Sequence, residues 1–190
     1  MSVPYPNVRF TYDDFQTLPE SGSRRYELLD GDIVVVPSPT TTHQRVSRNL
    51  EYILIGICCR HSLGAIYHAP VDVVFGHGID REVTVPDIVF VSKSRMNIVT
   101  PKEIVGDPDL VVEILSPGTE TRDRGYKLSL YGRYGVKEYW LIDTDQERLE
   151  VYRHRQGRLE LIEVLERGDI LKSPLLAEVA IDLAEVFAPD

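Results

Sequence analysis

The sequence predicts an α+β fold of α/β/α-like type: a mixed β-sheet core flanked by helices, with an N-terminal β-hairpin and a C-terminal β-meander. Three observations carry this. Residues from about 41 to 62 place Val46, Leu50, Ile53, Leu54 and Ile57 at helical spacing. Short apolar runs rich in Val and Ile then follow in series, separated by Gly and Pro signals. A second helical pattern lies between the third and fourth of those runs, so the central order is helix, strand, strand, strand, helix, strand, which implies helices packed on a mixed sheet.

Each element has a local reason. Thr11 is a possible N-cap for a short helix starting at Tyr12-Asp13-Asp14-Phe15. Arg25 to Val36 reads as two strands around the Asp30-Gly31 turn. Thr41 or Thr42 is placed to cap the long helix. Ala65–Phe75 reads as one strand, Gly76-His77-Gly78-Ile79-Asp80 as a turn, and Glu82–Val91 as the next strand. Ser92–Asp107 reads as a polar connection with a short helical turn near Pro101-Lys102-Glu103. Leu110–Leu115 is a third strand, Thr121–Tyr134 a helix with Gly135 at C′, and Glu138–Asp143 a fourth strand. Leu149–Arg153, Leu159–Leu165 and a segment through Phe187 supply the meander.

With 190 residues and 43% hydrophobic content, one domain spanning 1–190 is expected, its core at about 40–145. No apolar stretch reaches the roughly 18 residues that a membrane helix needs. Met1-Ser2-Val3-Pro4-Tyr5-Pro6 lacks the regions of a signal peptide, so a cytoplasmic place is expected. Cys58 and Cys59 are adjacent, which is neither a metal-ligand spacing nor a usual disulfide. Thirty acids against 21 Lys and Arg give a net charge of −9, unlike the basic stripe of a protein that grips nucleic acid. A modest cluster at Arg122, Arg124, Lys127 and Arg133 runs against that balance.

Two acids interrupt apolar strands. Asp87 follows Pro86 in Thr84–Val91, and Glu113 sits within Asp109–Leu115. A carboxylate in such a run is costly unless a partner compensates it. Strand alternation puts Asp87 with Val85 and Val89, and Glu113 with Val111 and Leu115, so on neighbouring strands the two carboxylates can converge. Such a pair suits a hard divalent ion such as Mg²⁺, which often takes only one or two protein carboxylates and keeps several waters. Lys127 lies on the stripe of Leu130, Tyr131 and Tyr134 and so points at the sheet. Singly, each residue has a structural explanation: a snorkelling lysine paired with Asp123, a buried ion pair at Glu113, a turn acid at Asp87. Two acids on adjacent core strands, however, need a common explanation. The five histidines show no zinc-like spacing, Gly76-His77-Gly78 opens no helix, and Ser116 lacks the frame of a nucleophile elbow.

The spacing of Pro86-Asp87, Glu113 and a nearby lysine resembles the PD-(D/E)xK nuclease superfamily. More closely, the chain resembles the Uma-two family of restriction-endonuclease-like proteins over nearly its whole length. The carriers are Tyr26–Ile33, Pro37-Ser38-Pro39 with His43, Pro70–Val73, Val85–Ile88, Pro108–Pro117, Asp123-Arg124 with Lys127-Leu128, Tyr131 and Tyr134, and Gly135–Asp143. The resemblance implies a restriction-endonuclease-like fold and a metal-dependent phosphodiesterase site. Asp87 and Glu113 would hold Mg²⁺ or Mn²⁺, Glu27 is an additional ligand candidate, and Asp72 and His43 are more distant ones. In the superfamily pattern the lysine lies two residues after the acid, and Leu115 occupies that place here. Lys127, from the following helix, is the residue that would bring an ammonium to the same space. The expected function is DNA endonuclease, in a homodimer as is common on palindromic sites. The alternatives are an RNA or nucleotide phosphodiesterase, and a non-catalytic nucleic-acid-binding or scaffold protein that keeps the fold.

Overall fold

The computed structural model describes residues 8–19 and 25–189; the opening Met1–Pro6 stretch lies outside them. Helix α1 (Tyr12–Gln16) starts with a capping box, in which Thr11 and Asp14 satisfy each other's backbone N–H groups. Strands β1 (Arg25–Leu29) and β2 (Asp32–Val36) pair around Asp30 and Gly31, both at positive φ. Helix α2 (Thr41–His61) is capped by Thr40 rather than Thr41 or Thr42. The Thr40 side chain accepts the His43 N–H, so both later threonines fall inside the first turn.

The next two expected strands are each broken in two. Ala65–Phe75 divides into β3 (Gly64–His68) and β4 (Asp72–Phe75), and Glu82–Val91 into β5 (Glu82–Thr84) and β6 (Ile88–Ser92). The breaks fall at Pro70 and Pro86, which have no N–H to give to a ladder. Strand β3 pairs with β6, and β4 pairs with β5. One long hairpin is thus folded across two sheets. The expected polar connection also differs. A 3₁₀ turn occupies Lys93–Ile98, and β7 (Glu103–Val105) runs parallel to β4 with Ile104 buried. Long-range pairing there overrides a locally polar sequence.

Strand β8 (Leu110–Ile114) leads to a helical stretch with three parts: α3 (Glu120–Arg122), a π turn (Asp123–Lys127) and α4 (Leu128–Tyr134). Gly135, at φ 89°, closes it as expected. Then come β9 (Glu138–Asp143), β10 (Arg148–Arg155), β11 (Arg158–Glu166), β12 (Ile170–Leu171), β13 (Ile181–Asp182) and α5 (Leu183–Val186).

Two mixed sheets therefore replace the single sheet expected. The larger has the order β11-β10-β9-β8-β6-β3, with only β8 and β9 parallel. The smaller has the order β2-β1-β5-β4-β7, with only β4 and β7 parallel. One face of the large sheet packs Ile88, Phe90, Val112, Ile114 and Trp140 against Val46, Leu50 and Leu54 of α2 and Leu183 and Val186 of α5. The other packs Val89, Val111, Leu115 and Tyr139 against Leu130 and Tyr131 of α4 and Val73 and Phe75 of the small sheet. The apolar core runs past residue 145, through Leu149 and Val151 to Phe187. Helix α4 lies close on β11: a Cβ on Gly132 would stand 2.9 Å from the Leu159 nitrogen.

Asp109 ties the large sheet together at the start of β8. Its buried carboxylate accepts the Ser92 N–H at 2.7 Å and pairs with Lys137 and Arg95. Burial works to raise its pKa, but Lys137 and the Ser92 N–H outweigh that and hold it below the usual carboxyl value of 3.8. Its stabilising contribution is therefore complete above that value and lost as pH falls through the lowered one. Urea midpoints taken from neutral pH into acid should show a wide gap between wild type and Asp109→Asn that closes in acid. A gap constant with pH would contradict this.

Candidate active site

The site lies where the two sheets meet. Alternation along β8 turns Glu113 away from α2 and toward α4 and the small sheet, beside Val111 and Leu115. It is 4% exposed. Glu27 comes from β1 of the small sheet, and its Oε1 accepts the Val85 N–H at 3.0 Å, just before the hairpin breaks at Pro86. Lys127 ends the π turn and is 3% exposed. Its Nζ lies 2.8 Å from Glu27 Oε1, 2.9 Å from Glu113 Oε1 and 3.3 Å from Asp123 Oδ1. Tyr131, one turn on, donates its hydroxyl to Glu113 Oε1 at 2.8 Å. Arg122 pairs with Glu27 Oε2 at 3.1 Å. The structure thus brings Glu27, Glu113 and Lys127 together. The Asp123–Lys127 pair read from spacing exists, but as one arm of a larger cluster. The π turn presents both residues from one wide loop of helix, a feature often found at functional sites.

Asp87 stands just before β6. Ile88 pairs with Val112, so the antiparallel register carries Asp87 opposite Glu113. Its Oδ2 accepts the Ile114 N–H at 2.7 Å and lies 3.2 Å from His43 Nε2. His43, near the start of α2, is buried, and its Nδ1 has no hydrogen-bond partner among the described residues. Asp72 lies on β4 in register with Glu103, and burial, Glu103 and Glu27 raise its pKa. Asp87 also forms part of the wall of a cleft of about 620 Å³ between the first turns of α2 and the hairpin fold.

Charge decides what the cluster can do. Three buried carboxylates, Glu27, Glu113 and Asp123, face two cations, Lys127 and Arg122. Burial pushes Glu113 well above its usual pKa; Lys127 opposes this, while Asp123, Asp87 and Glu27 add to it. Burial likewise raises Asp123 against the pull of Lys127. For Lys127 burial favours the neutral amine, but Glu113, Glu27 and Asp123 outweigh it, so the ammonium is held. For His43 burial is overcome by Asp87, which raises its pKa. With all three carboxylates ionised the cluster is one positive charge short of balance, a deficit that a proton on Glu113 or an added cation makes up.

That deficit bears on a divalent ion. Among the described residues no group of three or more His, Cys, Asp or Glu side chains is arranged to hold a metal. The donor set nevertheless fits a hard cation that keeps most of its waters. Glu113 Oε2 and Asp87 Oδ1 make no hydrogen bond or ion pair among the described residues. Glu27 fits less well, because Lys127, Val85 and Arg122 already engage both its oxygens.

Sequence reasoning passed over Arg122 and Tyr131 as site members. Tyr131 was legible as a stripe residue and a carrier of the resemblance, and Arg122 as part of a basic cluster. That cluster is spent on acids: Arg122 on Glu27, Arg124 on Glu120 and Glu150, Arg133 on Glu82.

Comparison with known proteins bears on the family and the fold. A curated relative, "Uncharacterized protein slr1290" of Synechocystis sp., is 25% identical over 155 residues, covering 80% of this chain and 76% of that protein. The crystal structure of a "putative nuclease belonging to DUF820" from Anabaena variabilis superposes with a TM-score of 0.78 at 26% identity, over 94% of this chain and 98% of that one. The mixed α+β fold is therefore that of a nuclease-like neighbour. The Uma2 family profile, described as "Putative restriction endonuclease", matches residues 12–184. Fold and sequence coincide over almost the whole chain, and the protein belongs to the Uma2 family.

Proposed function

We propose that this protein is a metal-dependent endonuclease that hydrolyses phosphodiester bonds in DNA. The observation that carries the reading is the meeting of Glu113 and Lys127 in the core, one strand away from Asp87 on an open cleft. Asp87 Oδ1 and Glu113 Oε2 would hold Mg²⁺, with Mn²⁺ as a substitute. Held there, such an ion would supply an activated water and charge stabilisation for a phosphoryl transition state. Lys127 takes the part of the superfamily's strand lysine, which Leu115 vacates: its ammonium fixes Glu113 and meets negative charge developing on the phosphate. Tyr131 holds Glu113 from the other side. Asp87 is kept in place by the Ile114 N–H and His43, which leaves its second oxygen free. Glu27 holds Lys127 and becomes a ligand only by releasing it or Arg122.

Incubation of plasmid DNA with the protein and Mg²⁺, beside Asp87→Ala and Glu113→Ala, tests the assignment. Cleavage in the wild type alone is expected, and equal cleavage by all three refutes it. A second reading has one observation in its favour: Lys127 is already locked by three carboxylates, so the fold would bind nucleic acid or act as a scaffold without cutting it. That reading expects no cleavage and no rise in melting temperature with Mg²⁺ or Mn²⁺.

The proposal includes a homodimer, with the outer strand β11 as the shared edge, exposing Leu161 and Val164. Cys58 and Cys59 are both free thiols, which suits a reducing, cytoplasmic setting. Among the described residues no helix is long and apolar enough to cross a membrane.

A further inference from the structure

The cleft beside Asp87 holds a guanidinium, that of Arg45, with no partner among the described residues. The first turns of α2 line one wall with Thr41, Arg45, Ser47 and Arg48, and His68 and Asp87 stand on the other. Arg45 is half-buried, and its Nε is fully buried with no hydrogen-bond partner among the described residues. No ion pair to it forms among those residues either. A guanidinium N–H withdrawn from water and left unpaired costs free energy, so its placement implies an acceptor that arrives from outside. The acids of the cleft do not supply one: Glu51 is bound to the His68 ring at 2.6 Å, and Asp87 to Ile114 and His43.

We propose that Arg45 binds a backbone phosphate of the nucleic acid, next to the phosphate that is cut at Asp87. The proposal rests on the nuclease reading above and adds to it the seat of the strand. Three features favour a phosphodiester chain. Guanidinium matches the fork of two phosphate oxygens. The hydroxyls of Thr41 and Ser47 stand beside Arg45 as further donors. The cleft is open along α2, so a chain carrying one negative charge per nucleotide can run from Arg45 to Asp87. It also gives this protein a local cationic contact despite its −9 charge. Arg45 is a positioning residue here: it reads charge and spacing rather than base identity.

The test uses the full chain carrying Asp87→Asn, so that the probe survives, and a fluorescein-labelled duplex oligonucleotide followed by anisotropy across a salt series. Adding Arg45→Gln should weaken binding about tenfold or more at low salt. It should also flatten the plot of log affinity against log salt by about one unit, alike for unrelated sequences. Arg45→Lys should recover most of the slope, and Arg158→Ala, a control on the far β10–β11 turn, should change nothing. Circular dichroism melts confirm that each variant folds. Unchanged affinity and slope in Arg45→Gln overturn the proposal, even if the wild type cuts DNA and the nuclease reading stands. Equal Arg45-dependent binding of polyglutamate overturns it too, and assigns the cleft to an acidic protein. A protein that neither binds nor cuts the duplex removes the nuclease reading and this proposal together.

Discussion

Replacing Lys127 with methionine is expected to cost about 3–5 kcal/mol of folding stability, because it strands buried charge. Methionine fills nearly the same space, so packing is not what the substitution tests. Lys127 is 3% exposed, and its ammonium touches three carboxylates. Without it Glu27 keeps Arg122, Glu113 keeps only Tyr131, and Asp123 loses its cation. Glu113 and Asp123 already have raised pKa values, chiefly from burial. The sign of the pH effect follows. A carboxyl whose folded pKa exceeds its unfolded one binds its proton more tightly when folded, so its contribution is full below the unfolded value and lost as pH rises through the raised one. The deficit of Lys127→Met should therefore be largest near neutrality and shrink on acidification. Guanidinium unfolding across that range measures it, and Glu113→Gln in the same background should restore part of the loss. A variant within about 1 kcal/mol of wild type at neutral pH would mean that the cluster carries far less buried charge than its geometry indicates.

Neutral isosteres at the two acids should silence cleavage with little effect on fold. Asp87→Asn keeps an oxygen for the Ile114 N–H, and Glu113→Gln keeps one for Tyr131. Each should lower Mg²⁺-dependent cleavage on the order of 10²–10³-fold or more, the scale found when one preorganised electrostatic contact is lost. The same variants should blunt the thermal stabilisation that the proposal expects Mg²⁺ to give the wild type. A ligand at a hundred times its Kd adds about 2.7 kcal/mol to a native state that alone binds it. The two readouts are independent. Loss of cleavage with an unchanged Mg²⁺ shift would place the ion elsewhere, and loss of both ties it to these oxygens.

The acids and the lysine were legible because their signals are local. Glu113 and Asp87 break apolar strands, and Lys127 sits on a helix stripe. Alternation and register then place the first two opposite each other. Leu115 showed that the lysine had moved but not how it reaches the acid, since a π turn leaves no mark on the periodicity of 121–134. Glu27 was nameable only by resemblance: it joins Glu113 across two sheets, and nothing within its own strand reports that. The division into two sheets was missed because Val85-Pro86-Asp87 continues an apolar pattern on both sides. The prolines were the available clue. The basic cluster misled in the opposite direction, because ion pairing is tertiary and a list of cations does not show which acids they meet. Arg45 and the cleft beside it left no distinctive motif, only one of three arginines on an amphipathic helix.

The hairpin folded across both sheets has a consequence for how the molecule comes apart. Strands β3 and β6 belong to one sheet and β4 and β5 to the other, yet each passes into its partner through only three residues. Neither sheet owns a closed set of strands, so neither can melt and leave the other whole. Amide hydrogens at Val74 and at Phe90 should then exchange through the same opening, with one free energy and one denaturant dependence. Asp87 stands at that fold, and Glu27 and Glu113 come from its two sides. The cluster of Glu27, Glu113 and Lys127 should therefore form and dissolve together with the whole cooperative unit.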